Sequence, residues 1–304
     1  MRDEDSRIEP ASAEAGAEAH SKGSASGPTL YLVGTPIGNL EDITLRALRI
    51  LKEVDVIACE DTRQTQKLLN HFAIATRATS YHEHNEAEKA AELVKRMRAG
   101  ASVAVVSDAG MPGVSDPGYR LVTLAIEHGI PVVPVPGASA FLSALVASGL
   151  PTDHFEFRGF LPAKRGERRA ELEKIKGLAQ TEIFYEAPHR IVETLTDIVE
   201  VLGERRPVVV AREVTKLHEE FLRGGAADVL KSLESRESVK GEITLLIGKG
   251  DHEVADVPVR VSVKERVAQI MLEENIDEKA ALKKVAKERG VSKSEAYREL
   301  QRQK

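Results

Sequence analysis

Ser107-Asp108-Ala109-Gly110-Met111-Pro112-Gly113-Val114-Ser115-Asp116-Pro117-Gly118 follows directly on the apolar run Val103–Val106. Three glycines, two prolines and two aspartates in twelve positions exceed what a simple turn requires. Glycine permits positive φ and close approach of a ligand, while proline fixes the flanking dihedrals. The expected product is a stiff loop with exposed backbone amides and carbonyls. An alternative is a long tight connector held by Asx turns.

Outward from this loop the chain alternates short β-branched runs with helical periods. Leu30 to Val33, Val54 to Ala58, Val103 to Val106 and Val132 to Val135 read as strands. Leu45, Leu48 and Leu51 with Val54 mark one helix face, and Tyr119 to Glu127 and Ala138 to Ala147 read as further helices. Continuously apolar strands of this kind belong to a parallel sheet covered on both faces. Two more Gly/Pro-rich loops follow strands, Gly34-Thr35-Pro36-Ile37-Gly38-Asn39 and Pro134-Val135-Pro136-Gly137-Ala138-Ser139-Ala140. Neither is a G-x-G-x-x-G fingerprint or a phosphate-cradling P-loop. Their position still matters, because open α/β sheets bind ligands beyond the carboxyl ends of strands.

Gly149-Leu150-Pro151 breaks the pattern. Beyond it, Phe155 to Phe160, Thr181 to Tyr185, Pro207 to Ala211 and Glu242 to Ile247 read as strands of a second, mixed sheet. Ile191, Val192, Leu195, Ile198, Val199 and Leu202 form a helical stripe between them. The expected organisation is a disordered leader (1–28), an N-terminal α/β domain (29–150), a C-terminal α/β domain (151–249), a linker (250–263) and a helical tail (264–304). In the tail, Val267, Ile270 and Met271 line one helix and Leu282 and Val285 another. Gly290 breaks the chain, and Ser292 with Glu295 forms a capping box for a last helix. Such a trio suits either a helix-turn-helix or a small packing bundle. Its 11 Lys/Arg against 8 Asp/Glu make it only weakly basic.

Composition narrows the function. A net charge of −5 means that any nucleic-acid contact must come from local patches. Aromatics at 4% and no Trp argue against rows of stacked bases. A lone Cys59 excludes an internal disulfide and a thiolate metal cage, which suits a reducing cytoplasm. No apolar run approaches the ~18 residues that span a bilayer. The leader, rich in Ala, Glu, Ser and Gly, has no apolar stretch of a signal peptide.

Taken together, GTPIGN, ACEDTRQT, SYHEHNE, SDAGMPGVSDPG, PVPGASA and FYEAPHRI resemble the tetrapyrrole methylase superfamily over about Thr29 to Gly248. EDTR, YHEHNE and YEAPHR further resemble its branch that 2'-O-methylates ribosomal RNA, and are not shared with the corrin and sirohaem branches. The resemblance implies two α/β domains with the methyl donor, S-adenosyl-L-methionine, folded in the cleft between them. Pro36, Ser107, Asp108, Met111, Ser139 and Ala140 would line it from the first domain, and Tyr185, Glu186 and Ala211 from the second. The superfamily's Gly-Gly-Asp-Pro loop is replaced here by Ser107-Asp108-Ala109-Gly110. The resemblance also implies a cytidine ribose in the decoding centre of 16S rRNA as target, in the small ribosomal subunit, and a homodimer.

A ribose hydroxyl needs its proton removed or its oxygen oriented. Candidates are Asp61 with Arg63, next to Glu60, and His82-Glu83-His84. In an extended segment the two histidines face one side and could hold a ribose, though no third metal ligand is apparent. Arg63 can equally be a structural partner of Asp61, and the histidines simply exposed. His189 and Arg190 could bind phosphate or solvate a helix end. The expected RNA surface is Arg158 to Lys176, with Lys164, Arg165, Arg168 and Arg169 clustered around Gly166. The stretch holds 7 Lys/Arg and 3 Asp/Glu, and a solvated charged helix is its plain reading. Two rival functions stay open: a methyltransferase acting on a corrin-like macrocycle, and a non-catalytic nucleic-acid-binding regulator built on the tail.

Overall fold

The computed structural model describes residues 27–250, 263–274, 276–288, 297, 298 and 300. Those up to Gly250 form one compact unit and those after Asp251 another. The first unit opens with strands β1 (Leu30–Val33), β2 (Val56–Cys59), β3 (Ala78–Ser80), β4 (Val103–Val106) and β5 (Val132–Val135). They form an all-parallel sheet in the order β3-β2-β4-β1-β5. Helices α1 (Leu45–Glu53) and α2 (Thr62–His71) cover one face, and α3 (Glu86–Arg98) and α4 (Tyr119–Glu127) the other. Period-2 alternation explains the apolar strands: Val103 and Val105 pack under α3 and α4, while Ala104 and Val106 pack under α1 and α2.

The second sheet runs β6-β7-β10-β8-β9. Its strands are β6 (Phe155–Phe160), β7 (Thr181–Glu186), β8 (Pro207–Arg212), β9 (Glu220–Gly225) and β10 (Ile243–Ile247). Only β6 and β7 pair in parallel, so the sheet is mixed. One face packs on α6 (Arg165–Ile175), α7 (Ile191–Leu202) and α8 (Ala226–Glu234). The other face, with Ile183, Val209, Ala211 and Leu246, meets Ile37 and the helix α5 (Ala140–Ser148). Helix α5 therefore bonds the two α/β layers through Ala144 and Leu145.

Several elements differ from expectation. Val54 closes α1, its N–H donating to Ile50 O at 3.0 Å, so β2 starts two residues later than its apolar run. Strand β9 has only Phe221 and Leu222 as large apolar residues because it lies at the sheet edge. Strand β3 is three residues long, and its partly buried Ala78, Thr79 and Ser80 carry no strand signal. In the tail, α9 (Val263–Glu274) and α10 (Glu278–Glu288) share a core of Val267, Ile270, Leu282 and Val285. The capping box at Ser292 and Glu295, and the leader up to residue 26, lie outside the described residues. Among the described residues no helix is long and apolar enough to cross a membrane.

Strands β4, β1 and β5 are neighbours, so the three Gly/Pro-rich loops emerge side by side. Thr35 and Gly110 exchange backbone hydrogen bonds at 2.9 and 3.1 Å, joining the first two loops. The Thr35 hydroxyl adds a bond to Ser107 O at 3.1 Å. Gly34 lies against Gly137 so closely that a methyl on Gly34 would sit 2.7 Å from both the Gly137 Cα and the Met111 sulfur. Gly34→Ala should therefore cost about 1–3 kcal/mol through overpacking between backbones that cannot yield independently. Urea denaturation, with Gly177→Ala as a control in open space and without positive φ, measures that loss.

Candidate functional site

A cleft of about 410 Å³ opens between the three loops and the second sheet. Its first-layer wall comes from Ile37, Ala109 to Met111, Val114 to Asp116 and Ser139 to Phe141. Its second-layer wall comes from Phe160, Tyr185 to Pro188, Val214 and Gly241 to Thr244. Of the nine residues assigned to the donor from the sequence, Met111, Ser139, Ala140, Tyr185 and Glu186 line the cleft. The other four stand behind or beside that lining. Pro36 is half-buried next to Ile37, and Asp108 is exposed next to Ala109. Ser107 is buried, its hydroxyl donating to Ala109 O and Gly110 O. Ala211 is buried opposite Thr244, which does line the cleft.

The carboxylate of Glu186 is fully engaged within the fold. It accepts from the Ala187 N–H at 2.7 Å, from Arg190 at 2.6 and 3.0 Å, and from the Thr194 hydroxyl at 2.7 Å. Glu186 thus shapes the wall without a free acceptor, and Arg190 is its structural partner rather than a phosphate ligand. Ser139, which precedes α5 without a capping bond from its own side chain, lines the cleft.

Asp116 is the titratable group that sequence reasoning passed over. Burial pushes its carboxyl up to about 6; the charges of Glu60 and Asp108 add to the shift, and the Ser107 side chain opposes it. The Tyr185 hydroxyl across the cleft is pushed up as well, by burial first and then by the charge of Asp116. The site therefore pairs a carboxyl able to change protonation near neutrality with a phenol that stays protonated. The signal for Asp116 lay inside the long loop, yet nothing in the sequence separates it from Asp108.

The four residues first singled out for catalysis are not in the cleft lining. Asp61 caps α2, its Oδ1 accepting from the Arg63 N–H at 2.7 Å, and its own N–H donates to Asp108 at 3.3 Å. The Arg63 side chain is exposed. His82 is extended but the segment is not: Glu83–Asn85 turns directly into a short 3-10 helix, and Asn85 Oδ1 accepts from the His82 N–H at 2.9 Å. The rings of His82 and His84 are 6.0 Å apart, edge to face. The last residue of YHEHNE has the clearer task. Glu86 accepts from the Tyr81 hydroxyl at 2.9 Å and from the Gly118 N–H at 3.2 Å, pinning the far end of the long loop.

The basic stretch is largely neutralised from within. Arg168 is buried at 2% exposure, its guanidinium donating to Asp197 at 2.7 Å and to Ala163 O at 3.3 Å. It cannot reach a phosphate, and the assignment of Arg168 to RNA is corrected on that ground. Arg165 pairs with Asp197 at 2.9 Å and Glu200 at 3.0 Å, and Arg169 with Glu200. Arg158 is held by Glu156, Glu171 and Glu182. Lys164 stays 81% exposed with a surface partner in Glu167. The acids come from β6, β7, α6 and α7, so counting charges along one segment overstated its field.

The family model for Tetrapyrrole (Corrin/Porphyrin) Methylases matches residues 29–230. The chain belongs to the tetrapyrrole methylase family. Relatives named ribosomal RNA small subunit methyltransferase I are similar over most of its length. The one from Halalkalibacterium halodurans is 49% identical, covering 88% of this chain and 93% of that protein. The one from Bacillus subtilis is 44% identical over 88% and 92% respectively. Among solved structures, a cobalt precorrin-4 methyltransferase of cobalamin biosynthesis is similar at TM-score 0.54 and 19% identity, covering 74% of this chain and 96% of that one. A diphthine synthase is similar at TM-score 0.58 and 15% identity, covering 72% and 90%. These likenesses show the tetrapyrrole methylase fold, two α/β layers around a cleft.

The ion-pair network makes a prediction about stability. Asp197 is 1% exposed and faces three arginines. Asp197→Asn should cost about 3–5 kcal/mol, because it leaves Arg168 charged and buried without its partner. Arg165→Ala, which removes an exposed side chain and leaves Asp197 paired with Arg168, should cost much less. Chemical denaturation of both variants measures the difference.

Proposed function

We propose that this protein transfers a methyl group from S-adenosyl-L-methionine to the 2'-hydroxyl of a cytidine ribose in the decoding centre of small-subunit 16S rRNA, acting as a cytoplasmic homodimer. The observation that carries the reading is the similarity, at 44–49% identity across 88% of the chain, to relatives named for methylating small-subunit ribosomal RNA. The cleft supports it. Its volume of about 410 Å³ suits a small-molecule donor. Met111, Ser139, Ala140, Tyr185 and Glu186 form its wall, with Pro36, Ser107, Asp108 and Ala211 shaping the backbone behind. Bound there, the donor supplies an electrophilic methyl on a sulfonium whose charge is lost on transfer.

The chain's own contribution is alignment and proton removal. The welded loops hold one wall rigid against the second sheet. As the ribose oxygen bonds to the methyl carbon and the carbon–sulfur bond breaks, the hydroxyl proton passes to the Asp116 carboxylate. Tyr185 remains a neutral hydrogen-bond donor beside it. The catalytic part first given to Asp61, Arg63, His82 and Glu83 then reduces to support: Asp61 caps α2, His82 and Glu83 build the turn that leads into Glu86, and Arg63 is an exposed cation for RNA phosphate. Lys164, and the exposed parts of Arg165 and Arg169, complete that phosphate contact.

Methyl transfer from labelled donor to assembled small subunits, extracted rRNA and a corrin precursor, run in parallel, tests the reading. Label that blocks alkaline cleavage at one ribose of 16S rRNA is the expected outcome; label only in the macrocycle would overturn it. The proton acceptor has its own signature. Asp116 must be ionised to act, so kcat/KM should fall as pH drops through about 6. Asp116→Asn should lower kcat by about 10²–10⁴ and flatten that profile. A carboxyl whose folded value lies above its unfolded 3.8 costs stability while ionised, and the cost fades as pH falls through about 6. At neutral pH Asp116→Asn should therefore melt at a higher temperature than the wild type while being far less active.

A further inference from the structure

Strand β6 begins as an alternating strand, with Phe155 and Phe157 on one face. By that period Phe160 belongs to the opposite face, under the helices. It does not go there. Phe157 pairs with Ile183 but Phe160 pairs with Tyr185, two residues further along β7, so one extra residue is accommodated between them. The slack is taken up next to Gly159, which has φ 68, a value open to glycine. A bulge of this kind re-aims the side chain that follows it. It puts Phe160 on the same face as Phe157, Ile183 and Tyr185, which is the face that lines the cleft.

The ring that arrives there is held but not covered. Its centroid is 5.7 Å from that of Tyr185, edge to face. Tyr185 in turn contacts Phe157 at 4.9 Å, and Phe157 stacks on Phe141 at 4.6 Å. This chain of rings fixes the position of Phe160 from behind, whereas Phe160 itself is 58% exposed. It is the outermost ring of the row, at the cleft wall shared with Ser115 and Asp116. Gly159 also lies beside this loop: a Cβ there would be 3.8 Å from the Ser115 hydroxyl.

We infer that Phe160 is the stacking platform for the nucleobase of the RNA nucleotide being modified. The inference rests on the proposed RNA substrate and specifies how that substrate is held. A ribose within a folded RNA reaches a recessed methyl only if its nucleotide is turned out of the helical stack. An unstacked base needs a flat apolar surface to replace its neighbours, and aromatic side chains supply it. An exposed ring at the cleft wall, next to the proton acceptor, is placed to receive the base while its ribose enters. The donor has no need of this ring, because the residues assigned to it, Met111, Ser139, Ala140, Tyr185 and Glu186, are half-buried or buried, whereas Phe160 is exposed. Low aromatic content is no obstacle: a single flipped base needs one ring, not a row.

The experiment measures the KM for assembled small subunits with labelled donor, and separately the calorimetric Kd for S-adenosylhomocysteine. Phe160→Ala should raise the subunit KM about tenfold, in line with the loss of one base–aromatic stack, and leave the Kd within about twofold. Phe160→Tyr and Phe160→Trp should keep the wild-type KM, and Phe160→Leu should lose it as Ala does. Thermal melting identifies any variant that fails to fold, and Leu then replaces Ala as the loss variant. An unchanged KM in the loss variant, a matching loss of S-adenosylhomocysteine affinity, or full activity with Leu would each overturn the platform. Wild-type protein that labels no RNA at all would instead sink the substrate reading on which the platform stands.

Discussion

The backbone contact between the loops that follow β1, β4 and β5 is the constraint on which the site depends. Gly34 against Gly137, and the paired bonds of Thr35 with Gly110, turn three connectors into one wall. Each loop alone would be a mobile connection on the surface. Joined, they can hold small residues such as Ala109, Gly110, Ser139 and Ala140 in fixed positions against a ligand. Glu86 secures the remaining free end through Gly118. The opposite wall is held in turn by α5, which starts at the loop after β5 and packs its Ala144 and Leu145 on the second sheet. Rigidity of the wall and position of the second layer thus come from the same few residues.

Electrostatics follows a similar division between support and function. The acids that neutralise the arginines of α6 come from α7, distant in sequence, and the pairs they form are mostly structural. In the cleft the balance is reversed. Burial first, and then the charges of Glu60 and Asp108 beside the cleft, leave Asp116 poised to bind a proton. A carboxyl in that state destabilises the fold at neutral pH. Keeping it there is the expected conflict between stability and a reactive site.

Exposure of Phe160 belongs to the same category. A bulge, a glycine at positive φ and an unburied aromatic each cost something in a strand that could have alternated regularly. All three fall within four residues, at the mouth of the cleft. Local departures from regular structure tend to gather where a chain acts on something else.

The sequence by itself determined the element types, because apolar period and Gly/Pro punctuation are local properties. It also carried the family, through loops whose composition is too unusual for simple turns, and it named five residues of the cleft wall, Met111, Ser139, Ala140, Tyr185 and Glu186. Strands such as β3 and β9 escaped because a short or edge strand has little apolar surface to announce it. What only the tertiary structure decided was every property that depends on partners far apart in the chain. Strand order brought the three loops together. Asp197 took Arg168 out of the surface, and Glu186 spent its carboxylate on Arg190 and Thr194. Burial, with the charges of Glu60 and Asp108, set Asp116 apart from the other acids. The physical reason is common to all of them: charge, burial and close approach are fields and contacts in space, and no spacing along the chain encodes which neighbour will be there.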